Sequence, residues 1–338
     1  MGIAHSTAPD MVVDLAPRNP RELVLRNPVI PASGCFGYGQ EFAGSVDVQR
    51  LGAFVSKGIT PKARSGNPMP RITETPAGML NAIGLQNPGI SGFIRKYPPI
   101  WERWDVPAIV NISAESVEDF VMMARKLDDV PGVAAIEVNI SCPNISAGGF
   151  CFGWDAAMSA QVTREVRAAT TLPMIVKLSP GALDIAEIAL AVESEGADAM
   201  SLINTLVGME IDVQRRRPVL ANVTGGLSGP AVRPVALRMV YQVAGTVDIP
   251  VIGMGGITTV ADALQFFMAG ASAIQVGTAA FAQPRVLMDL IDGIERWLAA
   301  RGHSSLGDIV GVANERYQLR RQTPCAEKLL TMESEFTR

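Results

Sequence analysis

The sequence predicts an α/β protein, a (β/α)8 TIM barrel with active-site insertions at its C-terminal face. Three observations predict it. Short β-branched runs recur eight times, and stretches with apolar residues three and four apart lie between many of them. Every run also ends in a polar, cationic or glycine-rich group. Alternating strands and helices imply a parallel sheet, and eight such units favour a closed barrel. A doubly wound open sheet is the alternative. It wants a glycine-rich turn after its first strand, and Gly34-Cys35-Phe36-Gly37-Tyr38-Gly39 is only a loose version.

In chain order, strands are expected at 29–32, 53–57, 108–112, 136–140, 174–178, 199–203, 251–254 and 273–276. Helical spacing falls at 114–127, 156–169, 184–195, 233–243 and 259–269. Ser113, Asp155, Ser179 and Thr258 sit near helix starts, where a side-chain oxygen can cap free amides. Two connections are longer than normal, 61–104 and 205–230. Both follow a strand's C-terminal end, the face where barrel active sites form.

The chain has 338 residues and 48% hydrophobic content, enough to bury a large core as one unit. One domain is expected over 1–338, with its core at roughly 20–310 and both ends peripheral. Net charge is −4 with signs intermixed, and the densest basic run is Arg215-Arg216-Arg217, so no nucleic-acid footprint is expected. Residues 1–14 lack signal-peptide organisation, and no apolar stretch is of membrane-spanning length. A cytoplasmic protein without membrane association is the expectation. Cys35, Cys142, Cys151 and Cys325 form no CxxC pair, and His5 and His303 are the only histidines. No metal site or iron–sulfur cluster within the chain is therefore expected. Acid–base work would fall to Cys, Lys, Asp, Glu or Ser.

The residues at the eight strand ends are Ser33, Lys57, Asn111, Asn139 with Cys142, Lys177, Asn204, Gly255-Gly256 and Gly277-Thr278. The two glycine pairs suit a phosphate cradle, because missing side chains let an anion approach backbone N–H groups; they also suit plain tight turns. Lys177 ends the apolar run Met174-Ile175-Val176. Inside a barrel it must pair with Glu137 or Asp198, or meet a negative ligand group such as the N1–O2 edge of a reduced flavin. Lys57 supports the ligand reading. Cys142 stands between Asn139 and Asn144 on a loop. Its thiolate could take a proton while the amides bind a ligand rich in N–H and C=O groups; a buried apolar cysteine is the other possibility. Asn81 opens a loop that either reaches a substrate or is turn chemistry alone.

Taken together, these motifs resemble the class 1 dihydroorotate dehydrogenases. Asn139-Ile140-Ser141-Cys142-Pro143-Asn144 with Gly148-Gly149 resembles their active-site loop, and 81–89 (Asn81-Ala82-Ile83-Gly84-Leu85-Gln86-Asn87-Pro88-Gly89) resembles the class 1B orotate-binding loop. Leu202-Ile203-Asn204-Thr205 through Gly208-Met209, and Gly225-Gly226-Leu227-Ser228-Gly229-Pro230, extend the likeness. The resemblance implies that Cys142 takes a proton from C5 of dihydroorotate while hydride leaves C6 for N5 of FMN. It implies substrate binding by Lys57, Asn81, Ala82, Ile83, Gly84, Leu85, Asn139, Asn144, Asn204 and Thr205. FMN binding would fall to Ser33, Lys57, Gly58, Asn111, Asn139, Lys177, Ile203, Gly229, Gly255, Gly256, Gly277 and Thr278. Gln86 and the segment 215–218 favour class 1B, whose catalytic subunit forms a homodimer and works with a partner carrying FAD and a [2Fe–2S] cluster, using NAD+. The alternatives are a class 1A enzyme using fumarate and a dihydropyrimidine dehydrogenase-like enzyme. No role is apparent for Cys151.

Overall fold

A computed structural model describes residues 8–141 and 152–322. The eight expected strands form, and they form one parallel sheet. They are β1 (Val29–Pro31), β2 (Phe54–Val55), β3 (Ala108–Ile112), β4 (Ala135–Asn139), β5 (Met174–Lys177), β6 (Ala199–Leu202), β7 (Val251–Met254) and β8 (Ala273–Val276). Each pairs with its sequence neighbour from β2 through β8, and β8 pairs with β1. Three of the strands, β3, β7 and β8, have the expected ends, and the other five differ by one or two residues. All eight strands are fully buried, as a sheet covered on both faces requires.

The ring closes between β1 and β2 without a full ladder. Gly52 N donates to Val29 O at 3.1 Å, and beyond the strand ends Ser33 Oγ donates to Ser56 O at 2.9 Å. Gly52 has no substitute here, because a Cβ on it would lie 1.9 Å from Asn27 O. The first connection holds only single 3-10 turns, Gln40–Phe42 and Val48–Arg50, in place of a helix. Aromatic rings gather there instead, with Tyr38 stacked on Tyr97 at 3.9 Å and Trp101 edge-on to Phe54 at 5.0 Å.

Helices α1 (Gly89–Lys96), α2 (Val117–Leu127), α3 (Ala156–Arg167), α4 (Ile185–Ser194), α5 (Arg233–Ala244), α6 (Val260–Ala269), α7 (Ala279–Ala282) and α8 (Val286–Ala300) connect later strands or follow the last. From α2 to α6, each helix packs on the next. Asp155 caps α3 as expected. The other three caps are Ser116, Asp184 and Thr259 rather than Ser113, Ser179 and Thr258. Ser113 is still tied to the barrel through Ile59 O, and Ser179 Oγ accepts from Gly181 N and Trp154 Nε1. Thr258 Oγ donates to Asp262, whose own N–H is taken by Thr259.

The two long connections contain strands that the sequence reading did not expect. Ile72–Thr75 and Gly78–Asn81 form a hairpin, and Gly225–Ser228 pairs with Gly78–Asn81 on one side and with Leu206–Gly208 on the other. One antiparallel sheet thus joins the connection after β2 to that after β6. Among the described residues no helix is long and apolar enough to cross a membrane.

Because the seam leaves no room for a methyl group, Gly52→Ala is expected to cost about 1–3 kcal/mol of stability, in the range of core overpacking. Urea unfolding against wild type checks this; an unchanged midpoint would show that the seam yields easily.

Candidate active site

Polar side chains fill the barrel interior where apolar packing would be the default. Glu137 in β4 is fully buried and takes three hydrogen bonds. Its Oε2 accepts from Asn111 Nδ2 in β3 at 2.6 Å. Its Oε1 accepts from Ser201 Oγ in β6 at 2.7 Å and Gln275 Nε2 in β8 at 2.8 Å. The carbonyl oxygens Asn111 Oδ1 and Gln275 Oε1 are buried and have no partner among the described residues. Such atoms are costly unless something else supplies the missing hydrogen bond.

Lys177 ends β5 and is only 5% exposed. Neither carboxylate that could have neutralised it does so. Glu137 is engaged as above, and Asp198 is held by Arg167, Asn19 and Met174 N. Among the described residues Lys177 has no ion pair or hydrogen-bonded side-chain partner. A buried cation in that position calls for a ligand anion.

Beyond β4, two predicted groups, Asn139 and Asn204, converge on Ser141. Asn204 Nδ2 donates to Ser141 Oγ at 2.6 Å, and that hydroxyl donates to Asn139 Oδ1 at 2.6 Å. Asn204 Oδ1 accepts from Thr205 N at 2.8 Å. Gly226 gives Thr205 its space, since a Cβ there would lie 2.1 Å from Thr205 Oγ1, and Gly226 is in register with Asn81. Asn81, Asn139, Asn204 and Thr205 are therefore linked across one mouth. Cys142, Asn144, Gly148, Gly149 and Cys151 lie outside the described residues.

The 82–85 segment (Ala82, Ile83, Gly84, Leu85) is held by Asn67, whose Nδ2 donates to Ala82 O at 3.0 Å and whose N donates to Ile83 O at 3.0 Å. Asn87 anchors its far end, donating to Leu85 O at 2.7 Å and to Thr60 Oγ1 at 2.7 Å. Gln86 Oε1 accepts from Arg71 Nη2 at 2.5 Å. Lys57, half-buried after β2, has its ammonium pKa lowered by burial and then by the charge of Arg71, with Glu41 opposing. Gly58 brings the two regions together. A Cβ there would lie 3.0 Å from Asn111 Oδ1 and 3.4 Å from Leu85 Cδ2.

Gly229, Gly255 and Gly256 allow close backbone approach past the end of β7, and Gly277 and Thr278 follow β8. Gly256 has φ +71°, and a Cβ on it would lie 2.7 Å from Gly229 O. Ser228 Oγ accepts from Thr278 Oγ1 at 2.7 Å, tying the strand Gly225–Ser228 to the end of β8. Ile203 is buried next to Gly255. Near Gly277 sits Cys35, whose thiol is pushed up to about 11 by burial, with the Lys177 charge pulling the other way.

The sequence reading missed Ser141, Ser201, Gln275, Asn67 and Arg71 as contributors, and met Glu137 only as a pairing partner for Lys177. A signal existed for two of them. Glu137 and Gln275 interrupt the apolar runs Ala135-Ile136 and Ala273-Ile274, as Lys177 interrupts its own.

Comparison with known proteins bears on the same residues. The dihydroorotate dehydrogenase family model matches residues 19–298. The chain is 55% identical over 303 residues to the dihydroorotate dehydrogenase B (NAD(+)), catalytic subunit, of Pelobacter propionicus, covering 90% of this chain and 98% of that one. It is 56% identical over 289 residues to the protein of the same name from Trichlorobacter lovleyi, covering 86% and 95%. To that from Desulforudis audaxviator it is 54% identical over 292 residues, covering 86% and 95%.

Thiolate is the form that alkylates, so a raised pKa makes Cys35 unreactive at neutral pH. Iodoacetamide labelling followed by peptide mass spectrometry is expected to leave Cys35 unmodified until strongly alkaline pH. Lys177→Met, which removes the charge that lowers this pKa, should move the onset higher still.

Proposed function

The chain belongs to the dihydroorotate dehydrogenase family, and from that premise we propose that it oxidises (S)-dihydroorotate to orotate in de novo pyrimidine synthesis with FMN as cofactor. The observation that carries this is Lys177, a buried cation without a carboxylate partner among the described residues, in the same barrel interior as two unpartnered buried amide oxygens. They fit a polar, electron-accepting ring with an anionic edge. FMN, when bound there, supplies the hydride acceptor.

The chain's own groups would act as follows. Lys177 places a fixed positive charge in the barrel interior, where low dielectric makes it more effective than in water. Gly229, Gly255, Gly256, Gly277 and Thr278 would offer backbone N–H groups to the phosphate. Ser33, Gly58, Asn111, Asn139 and Ile203 would line the remaining cofactor surface. Lys57 would attract the substrate carboxylate. Asn81, Asn139, Asn144, Asn204 and Thr205 would match the donors and acceptors of the pyrimidine ring, with 82–85 closing over it. Cys142 as thiolate would take the C5 proton while hydride leaves C6, so that the substrate loses two protons and two electrons, one proton to the thiolate and the other with both electrons as hydride.

The relatives from Pelobacter propionicus, Trichlorobacter lovleyi and Desulforudis audaxviator are named as NAD(+)-linked catalytic subunits. We extend that acceptor to this chain, through a partner subunit holding FAD and a [2Fe–2S] cluster, on a homodimer of the present chain. The reading also treats 1–338 as one domain and places the enzyme in the cytoplasm, in keeping with widely spaced cysteines.

The deciding experiment adds L-dihydroorotate to the flavin-loaded chain without oxygen. Rapid bleaching is expected, and Cys142→Ala should slow it by about 10²–10⁴-fold, the usual worth of a general base. Absence of bleaching would favour a uracil-type substrate. Fast reoxidation by fumarate would move the enzyme to the class 1A type, and reoxidation by NAD+ is expected only with the partner present.

A pH dependence follows from Lys57. Its lowered pKa means the ammonium is charged below that value and neutral above it, so the charge is lost at a lower pH than for an ordinary lysine. The KM for dihydroorotate should therefore climb on the alkaline side. In Lys57→Arg, whose guanidinium stays charged, the climb should disappear.

A further inference from the structure

Glu137 lies in the barrel interior and donates nothing to the reaction described above, yet it decides what two other side chains present. A carboxylate accepts hydrogen bonds and has none to give. The amide atom facing it from Asn111, and the one facing it from Gln275, must therefore be nitrogen, at 2.6 and 2.8 Å. Each amide's oxygen is then turned away from Glu137. Both oxygens are buried and unpartnered among the described residues. Asn111 Oδ1 sits 3.0 Å from the position of a Cβ on Gly58, beyond the end of β2 and so at the mouth.

We propose that Glu137 is a positioning residue for the cofactor: it locks the Asn111 and Gln275 amides so that two carbonyl acceptors, rather than two NH2 donors, meet a ring edge carrying N–H. This rests on the flavin reading above. A donor-bearing edge of the isoalloxazine ring satisfies the orphaned oxygens, while Lys177 serves an anionic edge. The pairing also explains why a fully buried carboxylate is placed where it neutralises no cation in the described structure.

Glu137→Gln is the informative change because it keeps the shape and cannot keep the pattern. If the new NH2 takes the Oε2 position it faces Asn111 Nδ2, and that amide must reverse. If it takes the Oε1 position Ser201 can switch to accepting, but Gln275 must reverse. Either way one NH2 replaces one C=O at the cofactor.

The test uses the full chain reconstituted with FMN. Wild type is expected to bind FMN stoichiometrically; failure to bind would end the flavin reading itself, independently of Glu137. In E137Q the FMN dissociation constant should rise at least tenfold and the visible flavin bands should shift, with the melting temperature of the apoprotein close to wild type. Unchanged affinity and bands in a folded, FMN-binding E137Q would overturn the proposal and leave Glu137 a structural residue. If E137Q fails to fold, Gln275→Met decides. It removes one acceptor and leaves Glu137 in place, and a band shift with weaker FMN binding supports the proposal, whereas wild-type spectra and affinity overturn it.

Discussion

Eight parallel strands can satisfy their backbone only if the last meets the first, and in this barrel the least paired junction is between β1 and β2. These are the shortest strands, of three and two residues, and the hydrogen bond from Gly52 to Val29 stands where a ladder would be. The junction holds because the chain around it is packed by other means. Asn27 fixes the loop through Arg50 O at 2.8 Å, and the cluster of Phe36, Tyr38, Phe54, Phe93, Tyr97 and Trp101 fills the side left without a helix. Ser33, Lys57 and Gly58 all project from the mouth of this junction, so its closure sets where the cationic side of the site stands.

Inside the ring the polar residues are of two kinds. Those around Glu137 are satisfied on the side facing the carboxylate, tying β3, β4, β6 and β8 together in a layer where an unpaired group would be heavily penalised. Lys177 and the two amide oxygens are left without such partners among the described residues. Buried polar groups of that kind are costly unless something else supplies the missing interaction.

The antiparallel sheet made by Ile72–Thr75, Gly78–Asn81, Gly225–Ser228 and Leu206–Gly208 couples the two sides of that cavity. Its register places Asn81 opposite Gly226, over Thr205, and its end delivers Ser228 and Gly229 to Thr278 and Gly256. Groups read as substrate-binding and groups read as phosphate-binding are thus tied to the same sheet. Close backbone approach is what requires the glycines: a Cβ on Gly78 would lie 2.0 Å from Ser228 O.

The sequence by itself determined the barrel, the order of its strands and the residues at their ends, because short β-branched runs and strand-end polarity are local patterns. It left Lys177 open between an ion pair and a ligand. Only the tertiary structure shows that neither carboxylate pairs with it among the described residues, since Glu137 and Asp198 are engaged by residues far away in the chain. The caps at Ser116, Asp184 and Thr259 were misjudged by one to five positions for a related reason: the helix start depends on where the preceding loop leaves the barrel. The mouth sheet was illegible because its strands are short and partly exposed, most contain glycine, and the pairing of Gly78–Asn81 with Gly225–Ser228 that joins its halves spans more than a hundred residues. What decides such pairing is which backbone edges the closed barrel brings side by side, and that is fixed only when the ring has formed.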